Sequence, residues 1–404
     1  MTIIQKAVQR TVDHSSTLFC TSIHQVSSDW DRIVGDKNVY LTRNYLQALE
    51  EGLEHTRFHY IQFFSIDRDL VGIAYCQIIP ITPNEINVKA LSERVGGVLP
   101  ENLINSIDMK LLICGNAFAT GENGFLFLPN VHWDTACDSV NKALGEIHLR
   151  EKKEGNKIAI TLIKEFWSAT IKGSNKFKES GFSEVNIDVN MVLRLDESWK
   201  SFEDYLAAMN SKFRTKATQV LRKSTRLDCI DFDGDPDDQS IHQVDELYNT
   251  IVDKANFSFG RLNGSTLFAM KKSLGDNFFF RGYYLDQKLI GFSTATLLND
   301  ALDGNFIGLN YDYNQDFAVY QRMLYDFVKH GIDKGVQYVR IGRTAEEIKS
   351  GVGAQPVEMK FYAKHRNKLS NALLRPFIQH LKPSKFNQRR PFKLEYYDTN
   401  KWIH

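Results

Sequence analysis

The sequence predicts an α/β (α+β) protein made of two copies of one unit, each with a mixed central sheet flanked by helices. Three observations lead to this fold class: a hairpin pattern that occurs twice, the same order of elements after each hairpin, and a length of 404 residues. A single hydrophobic core seldom serves so long a chain, because domains usually contain about 100 to 200 residues. A duplicated unit accounts for the length.

The two hairpins share one pattern: an aromatic strand, a turn that begins with Asp, and an apolar return strand that contains Gly. They occupy residues 63–79 and 283–298. Asp67 and Asp286 suit the turns, because Asp bonds its own backbone and tolerates left-handed geometry. Gly72 and Gly291 relieve crowding on the return strands.

The elements after each hairpin follow the same order. A strand ends in a polar turn, a helix follows with apolar residues at about 3.6-residue spacing, and another strand leads to a Gly-containing turn and a last strand. In the first copy these segments are 111–118, 134–155, 156–163 and 177–195, and in the second they are 305–313, 318–335, 336–341 and 348–364. Chance similarity rarely preserves such an order.

Composition limits the functional classes. The formal charge of +1 gives no overall signal for a polyanionic partner. The cysteines lack metal-site or disulfide spacing, so we expect reduced thiols and no metal; they are Cys20, Cys76, Cys114, Cys137 and Cys229. The sequence has no apolar run of about 18 residues. These features predict a cytoplasmic protein, or one peripheral to the inner face of the membrane.

This order of elements resembles the GNAT acyltransferase fold, and its doubling resembles the Fem-like branch of that superfamily, in which two GNAT-like domains share one chain. The resemblance covers about residues 35–365. It is most specific in SFEDYLAAMNSKFRTKATQVLRKS and in the run from GLNYDY to GRTAEEIKS. It implies an N-terminal GNAT-like domain, a connecting basic helix, a C-terminal GNAT-like domain and a basic amphipathic tail, at residues 1–200, 201–230, 231–366 and 367–404.

The acyl donor stays open on this resemblance. GNAT enzymes that use acetyl-CoA bind its pyrophosphate on a loop of the form Q/R-x-x-G-x-G/A. The corresponding segments here, PNVHWDTACD and YNQDFAVYQRM, contain no glycine. Better-known Fem-like enzymes use aminoacyl-tRNA, so the donor is acyl-CoA, another acyl ester or thioester, or aminoacyl-tRNA.

The first candidate site is the segment GRTAEEIKS, which follows the predicted buried strand VQYVRI. Arg343 and Lys349 suit a phosphate or carboxylate, with Thr344 and Ser350 beside them. Glu347 can accept a proton from an attacking ammonium if burial raises its basicity. The alternative is architectural: Thr344 as N-cap and Glu347 three residues later form a capping box.

The second candidate site is GLNYDY, at the end of the preceding strand. If residues 307–310 end a strand that diverges from its neighbour, a backbone N–H near Asn310 can stabilise the oxyanion of acyl transfer. Tyr311 or Tyr313 can donate a proton to the leaving group. Core and turn roles remain the alternative for each tyrosine.

Two basic segments suggest partners. One predicted helix carries Lys212, Arg214, Lys216, Arg222, Lys223 and Arg226. Residues 364–393 carry nine Lys or Arg and no Asp or Glu, with apolar residues at helical spacing. The tail can lie on anionic lipid, bind tRNA or cap the protein core. We expect a peripheral membrane contact through residues 367–393, with tRNA less favoured.

The sequence therefore predicts an N-acyltransferase that moves an acyl group from a thioester or ester to an amine, such as one on a lipid or a cell-envelope precursor. An aminoacyl-tRNA-dependent transferase and a non-catalytic binding module are the alternatives. The second copy is expected to hold the principal site, because its polar strand exit is richer. The first copy contains an insertion, 81–110, that could form a lid.

Overall fold

The structure is a computed structural model that describes residues 10–53, 55–81, 109–167, 170–185, 189–254, 261–367 and 386–399. It divides into two compact units, Met1–Ile187 with Met359–Lys382 and Asp188–Glu358 with Pro383–His404. Each unit holds a mixed sheet flanked by helices, as predicted. Nearly all of the proposed lid, residues 82–108, and most of the basic tail, residues 368–385, lie outside the described residues.

The first unit contains a sheet of eight strands. Numbered in chain order, they are β1 (Val12–Cys20), β2 (Arg57–Ser65), β3 (Leu70–Ile81), β4 (Met109–Cys114), β5 (Phe125–Phe127), β6 (Ile158–Trp167), β7 (Ser183–Val185) and β15 (Met359–His365). The order is β1-β2-β3-β4-β6-β15-β7, and β5 also pairs with β3. The helices are α1 (Asp29–Val34), α2 (Arg43–Gly52), α3 (Trp133–Lys153), α4 (Ile171–Ser174) and α5 (Lys176–Glu179).

The second unit contains a sheet of seven strands in the order β14-β8-β13-β12-β11-β10-β9. The strands are β8 (Asn190–Arg194), β9 (Asp228–Asp231), β10 (Phe278–Leu285), β11 (Lys288–Leu297), β12 (Ala301–Leu309), β13 (Tyr338–Arg340) and β14 (Gln355–Val357). The helices are α6 (Phe202–Ala208), α7 (Ser211–Lys223), α8 (Asp238–Val252), α9 (Gly264–Leu274), α10 (Tyr311–Phe317), α11 (Val319–Asp333), α12 (Glu346–Gly351) and α13 (Leu394–Thr399).

Both predicted hairpins form, and both contain a bulge in the same place. In β2–β3 and in β10–β11 the register shifts immediately beside the glycine of the return strand. A Cβ on Gly72 would lie 2.2 Å from the Phe127 ring, and one on Gly291 would lie 2.7 Å from Met323. The glycines therefore allow close packing on the return strands, as the repeat predicted.

The hairpin turns differ in which residue is left-handed. Asp286 and Gln287 have φ of 47° and 66°, as a two-residue type I′ turn requires. In the first hairpin, however, Arg68 has the positive φ of 64°, rather than Asp67. The first loop is longer, and its turn is closed by a bond from Arg68 N to Ser65 O, so the left-handed residue comes later.

The predicted strand–helix–strand crossovers are confirmed. β4 and β6 are parallel and joined through α3, and β12 and β13 are parallel and joined through α10 and α11. Each crossover helix buries an apolar stripe, including Val140 and Ile147 on α3 and Met323 and Phe327 on α11. These stripes pack into the hydrophobic core of their own unit.

The last strand of each predicted copy does not close the sheet of its own copy. β8, from the first copy, pairs with β13 in the second unit, and β15, from the second copy, pairs with β6 in the first unit. This corrects the expectation that each copy supplies its own closing strand. Short apolar strands satisfy either sheet edge equally well, so their residues do not specify the partner.

The segment predicted as one connecting basic helix, residues 201–230, begins with two helices, α6 and α7, inside the second unit. Met209 is extended and bridges to Phe392, which separates the helices. Along the described parts of the chain, no helix combines the length and apolarity needed to span a membrane.

The exchanged strand β15 should stabilise the first unit. Tyr362 is fully buried there, with its ring 5.6 Å from Phe166 and 5.8 Å from Phe177, and its hydroxyl lies 2.9 Å from Ser174 Oγ. We expect Tyr362→Ala to lower the free energy of unfolding by about 3 to 5 kcal/mol. The conservative control Tyr362→Phe should cost about 1 kcal/mol. Urea denaturation measures both.

Hydrogen exchange locates the effect of Tyr362→Ala. Protection should fall in β6 and β7, which flank β15 in the sheet. Loss of protection confined to β8 and β13 would contradict the strand exchange.

Candidate functional site

The central feature of the second unit is the early end of the β12–β13 pairing. β13 pairs with Ala301, Leu302 and Asp303, whereas β12 continues to Leu309. Beyond Asp303, no strand among the described residues pairs with that side of β12. Backbone groups that point to this side must therefore find other partners.

The peptide groups of Leu309 point to this open side. Asn310 N donates to Ile290 O at 2.9 Å, which makes Asn310 and Ile290 a hydrogen-bonded pair across β12 and β11. Because such pairs alternate along an antiparallel ladder, the N–H and C=O of Leu309 face away from β11. The carbonyl lies 2.7 Å from Thr250 Oγ1 of α8, whose one hydroxyl proton is shared with the carbonyl of Leu247, also at 2.7 Å.

A cleft of about 620 Å³ lies at the end of β12, where Asn310 and Thr250 line it. Its walls come from α8, the start of β11 and the start of α10. We call this cavity the β12 cleft. The residues that line it are Gln243, Glu246, Leu247, Thr250, Asp253, Lys254, Lys288, Leu289, Asn310, Tyr311 and Asp312. This volume falls in the range typical of ligand pockets, about 300 to 1,000 Å³.

Asn310 and Tyr311 lie in this cleft, at the position where the sequence predicted a site. Asn310 is the N-cap of α10, and its side chain accepts from Asp312 N at 3.0 Å. Tyr311 is 41% exposed. The Lys254 ammonium lies 3.4 Å from the centroid of the Tyr311 ring, a cation–π contact. The ring face therefore already holds one ammonium group.

The site residues predicted in the segment GRTAEEIKS follow β13, and they begin in a tight loop. Gly342, Thr344 and Ala345 have φ of 70°, 62° and 51°, so two non-glycine residues are left-handed. This conformation is especially costly for a β-branched residue such as Thr344. The helix that follows, α12, has Ala345 at its N-cap without a side-chain cap. The capping box expected from Thr344 is therefore wrong, because Thr344 lies one residue too early.

Lys349 is inside the second unit rather than at its surface. It is 5% exposed, and its Nζ donates to the backbone carbonyl of Arg343. Burial lowers the pKa of Lys349 from 10.5 to about 7; Glu346 opposes this shift and Arg343 adds to it. The expected contact with a ligand anion does not fit this burial. Lys349 instead holds the strained loop against α12.

Glu347 lacks the burial on which its expected role as a base depends. Its side chain is 48% exposed, and Oε1 accepts a bond from Arg389 at 2.6 Å. Ser350 is buried and is bonded to the carbonyl of Glu347 and to Arg389 N. These contacts tie α12 to the segment before α13. Arg343 is half-buried and Thr344 is exposed at the loop itself.

Tyr320, near the start of α11, connects the two groups of predicted residues. Burial raises its pKa, and nearby Tyr311 and Glu346 add to the shift. Tyr320 therefore has one neighbour at the cleft and one at the start of α12. Its position in an apolar helix stripe predicts a core residue, so it was not among the predicted site residues.

The start of α11 does not fit the pyrophosphate of coenzyme A as a glycine loop would. Its first turn follows directly on α10 through Ala318, with φ of 50°. The N–H of Tyr320 is already bonded to Asn314 Oδ1 at 3.0 Å. The Asn314 side chain therefore occupies the N–H of Tyr320, whereas a glycine loop keeps such N–H groups available to bind phosphate.

The corresponding region of the first unit is filled by its own loop, residues 115–124. Lys164 is buried, and its Nζ donates to the carbonyls of Asn116 and Ala117 at 2.8 and 3.3 Å. Gly121 N donates to Glu165 Oε2 at 3.1 Å. This packing occupies the space beside the end of β4. The filling of this space in the first unit favours the second unit as the location of the candidate functional site.

Sequence reasoning missed the contribution of α8 to the cleft. Thr250, Glu246, Asp253 and Lys254 belong to an amphipathic helix, and its pattern gives no sign that one polar edge faces a cleft. Among the described residues, no group of three or more His, Cys, Asp or Glu side chains is placed to hold a metal ion.

Comparisons with known proteins support the fold. No family model matches the chain, and no curated protein matches it. A solved structure of FemX aligns with a TM-score of 0.51 and 10% identity, covering 86% of this chain and 96% of that chain. This likeness shows that the chain shares the fold of FemX, which confirms the Fem-like fold predicted from sequence.

Other solved structures match less closely. L-PGS from Bacillus licheniformis has a TM-score of 0.46 and 8% identity, covering 83% of this chain and 95% of that chain. A tandem GNAT protein from the clavulanic acid biosynthesis pathway has a TM-score of 0.47 and 9% identity, covering 87% and 99%.

The buried Lys349 predicts a dependence of stability on pH. The unfolded chain keeps a proton on this lysine up to a pH of about 10.5, whereas the folded chain releases it near 7, so unfolding takes up a proton between these values. The free energy of unfolding should therefore rise with pH, relative to that of Lys349→Met, by about 1.4 kcal/mol per pH unit above neutrality.

Urea denaturation of both proteins over this pH range makes the measurement. Lys329→Met serves as control, because Lys329 is exposed on α11, and its pH profile should follow that of the native protein. Parallel profiles for Lys349→Met and the native protein would show that Lys349 is not held neutral inside the fold.

Proposed function

We propose that this chain is an N-acyltransferase whose second unit joins an acyl group to an amine in the β12 cleft. The observation that carries the proposal is the open end of β12: the N–H of Leu309 points away from β11, and the next residue, Asn310, lines a cleft of about 620 Å³. A backbone N–H held by a strand suits a developing oxyanion, because it needs no reorganisation during the reaction.

The acyl carbonyl of the donor would accept the bond from Leu309 N–H. Attack by the amine nitrogen on the carbonyl carbon forms a C–N bond and moves the carbonyl electron pair onto oxygen. The oxyanion then re-forms the C=O double bond, and the bond to the donor sulfur or ester oxygen breaks. The fixed position of β12, paired with β11 along its length, holds the N–H in place.

The cleft contains carboxylates that can receive an amine acceptor. Glu246, Asp253 and Asp312 line it, against Lys254 and Lys288. Asp253 accepts a bond from Arg261, which does not line the cleft, at 2.6 Å. Glu246 and Asp312 are therefore the carboxylates best placed to receive an ammonium group and take its proton. Glu246 and Asp312 then stand against Lys254 and Lys288, so the lining offers proton acceptors for an amine without a net negative charge.

Tyr311 would protonate the leaving group. Its ring stands at the end of β12, next to Asn310, and its side chain is partly exposed to the cleft. The hydroxyl gives its proton to the departing sulfur or oxygen, and the proton released by the amine restores the balance. This role follows the sequence prediction for Tyr311.

The donor is a thioester or an ester, and the acceptor is an amine such as one on a lipid or a cell-envelope precursor. Acyl-CoA remains a donor to test, although the start of α11 lacks the fit that a glycine loop would give its pyrophosphate. An aminoacyl-tRNA donor is the second candidate, because its phosphates can contact the exposed cations of α7.

The role of Tyr311 as the general acid is tested by removing its hydroxyl group and, as a control, that of Tyr313. Acyl thioesters and aminoacyl esters are offered with primary amines, and the amide product is measured by mass spectrometry. Tyr311→Phe should lower kcat by about 10²- to 10⁴-fold, the usual contribution of a general acid. The matched control Tyr313→Phe lies on the same helix, where its hydroxyl accepts from Lys288 at 3.3 Å, and should retain activity.

Both variants should keep the native melting temperature, because Tyr311 is exposed and Tyr313 is half-buried. Equal activity in Tyr311→Phe and the native protein would remove Tyr311 from the reaction. A panel in which no donor and amine give an amide would favour a non-catalytic binding module.

A further inference from the structure

A row of lysines runs along the outer face of α7. Lys212, Lys216 and Lys223 are separated by four and seven residues, so they share one line along the helix, about 17 Å long. All three are exposed, whereas Ala217 and Val220, on the adjoining side of the helix, are buried in the core of the second unit. The row therefore faces solvent over the length of the helix.

The charge of this helix is not neutralised. The residues of α7, SKFRTKATQVLRK, include no Asp or Glu. Within the described part of the chain, no carboxylate forms an ion pair with Lys212, Arg214, Lys216, Arg222 or Lys223. The nearest cation that is paired is Arg226, which bonds Asp286 at 3.2 Å. A dense exposed cation row without acids attracts a polyanion.

A second basic segment adjoins the start of this helix. Asn210, which precedes α7, donates from its backbone N to Pro391 O at 2.8 Å and from Nδ2 to Phe392 O at 2.9 Å. The neighbouring Arg390 and Lys393 are exposed. The basic surface thus continues from α7 onto the segment before α13. We call these exposed cations together the α7 basic face.

An exposed leucine adjoins the α7 basic face. Leu394, the first residue of α13, is 77% exposed and follows Lys393 directly. An isolated exposed leucine is common on soluble proteins, but one set beside a cation surface can enter the acyl boundary of a bilayer while the cations contact headgroups. RNA offers no comparable partner for an aliphatic side chain. The apolar group therefore favours lipid over nucleic acid.

We infer that the α7 basic face docks this protein onto an anionic phospholipid surface. Each Lys or Arg near such a surface contributes about 1 kcal/mol, so several together hold a protein that has no spanning segment among its described residues. Attraction decays over a Debye length, about 8 Å at physiological salt, so binding depends on salt.

The docking face lies close to the candidate site. Lys223 Nζ donates at 2.9 Å to the carbonyl of Gln315, on α10, and α10 begins at Tyr311 in the β12 cleft. Docking would therefore bring the cleft near the lipid headgroups. That consequence rests on the proposed acyl transfer and names its acceptor as an amine at the membrane surface, whereas the docking itself does not depend on activity.

Vesicle sedimentation of the full-length chain tests the docking. The native protein should sediment with phosphatidylcholine–phosphatidylglycerol vesicles at low salt, and not with phosphatidylcholine vesicles or at high salt. The variant Lys212→Gln/Lys216→Gln/Lys223→Gln should bind the anionic vesicles about a hundredfold more weakly. The control Lys142→Gln/Lys152→Gln/Lys153→Gln removes the same charge from exposed positions on α3 and should bind normally.

Two further arms separate lipid from RNA and docking from catalysis. Leu394→Ser should weaken vesicle binding about tenfold without changing binding to bulk tRNA. Tyr311→Phe should bind vesicles normally, whatever its activity. Tight tRNA binding through the three lysines without vesicle binding would overturn the inference, and so would equal weakening in the α3 control. Circular dichroism checks that each variant is folded.

Discussion

The second unit is organised by the short pairing of β12 with β13. Three residues of parallel pairing are followed by six residues of β12, Gly304–Leu309, that lose this neighbour. Backbone polar groups cannot stay buried without partners. Thr250 supplies one at the carbonyl of Leu309, which places α8 along the open edge. The cleft, its walls and the position of Tyr311 all follow from this arrangement.

The first unit differs at this point, because β4 is paired with β6 as far as its last residue, Cys114. Its loop over residues 115–124 fills the space beside β4, and the buried Lys164 ammonium is held by backbone carbonyls and lies 3.2 Å from Glu165. Among the described residues, the space beside the end of β4 is thus occupied by the chain itself, whereas the end of β12 adjoins the β12 cleft.

The sequence predicted the elements better than their partners. Hairpins, crossover helices and the packing of Gly72 and Gly291 depend on local residues, so a repeated pattern identified them. The exchange of β8 and β15 depends on which sheet edge lies near, which no local pattern records. Likewise, Asn310 and Tyr311 were found because they end a strand, whereas the buried Lys349 follows left-handed residues, Thr344 and Ala345, that no local pattern indicates.

Hydrogen exchange of the full-length protein, with and without acyl donors and amines, tests the central claim that the open edge of β12 binds the reacting groups. Binding should slow exchange in peptides that cover the end of β12 with the start of α10, and in peptides from α8, because these elements form the cleft. Slower exchange confined to residues 115–124 and the end of β6 would place the ligand in the first unit and contradict the account.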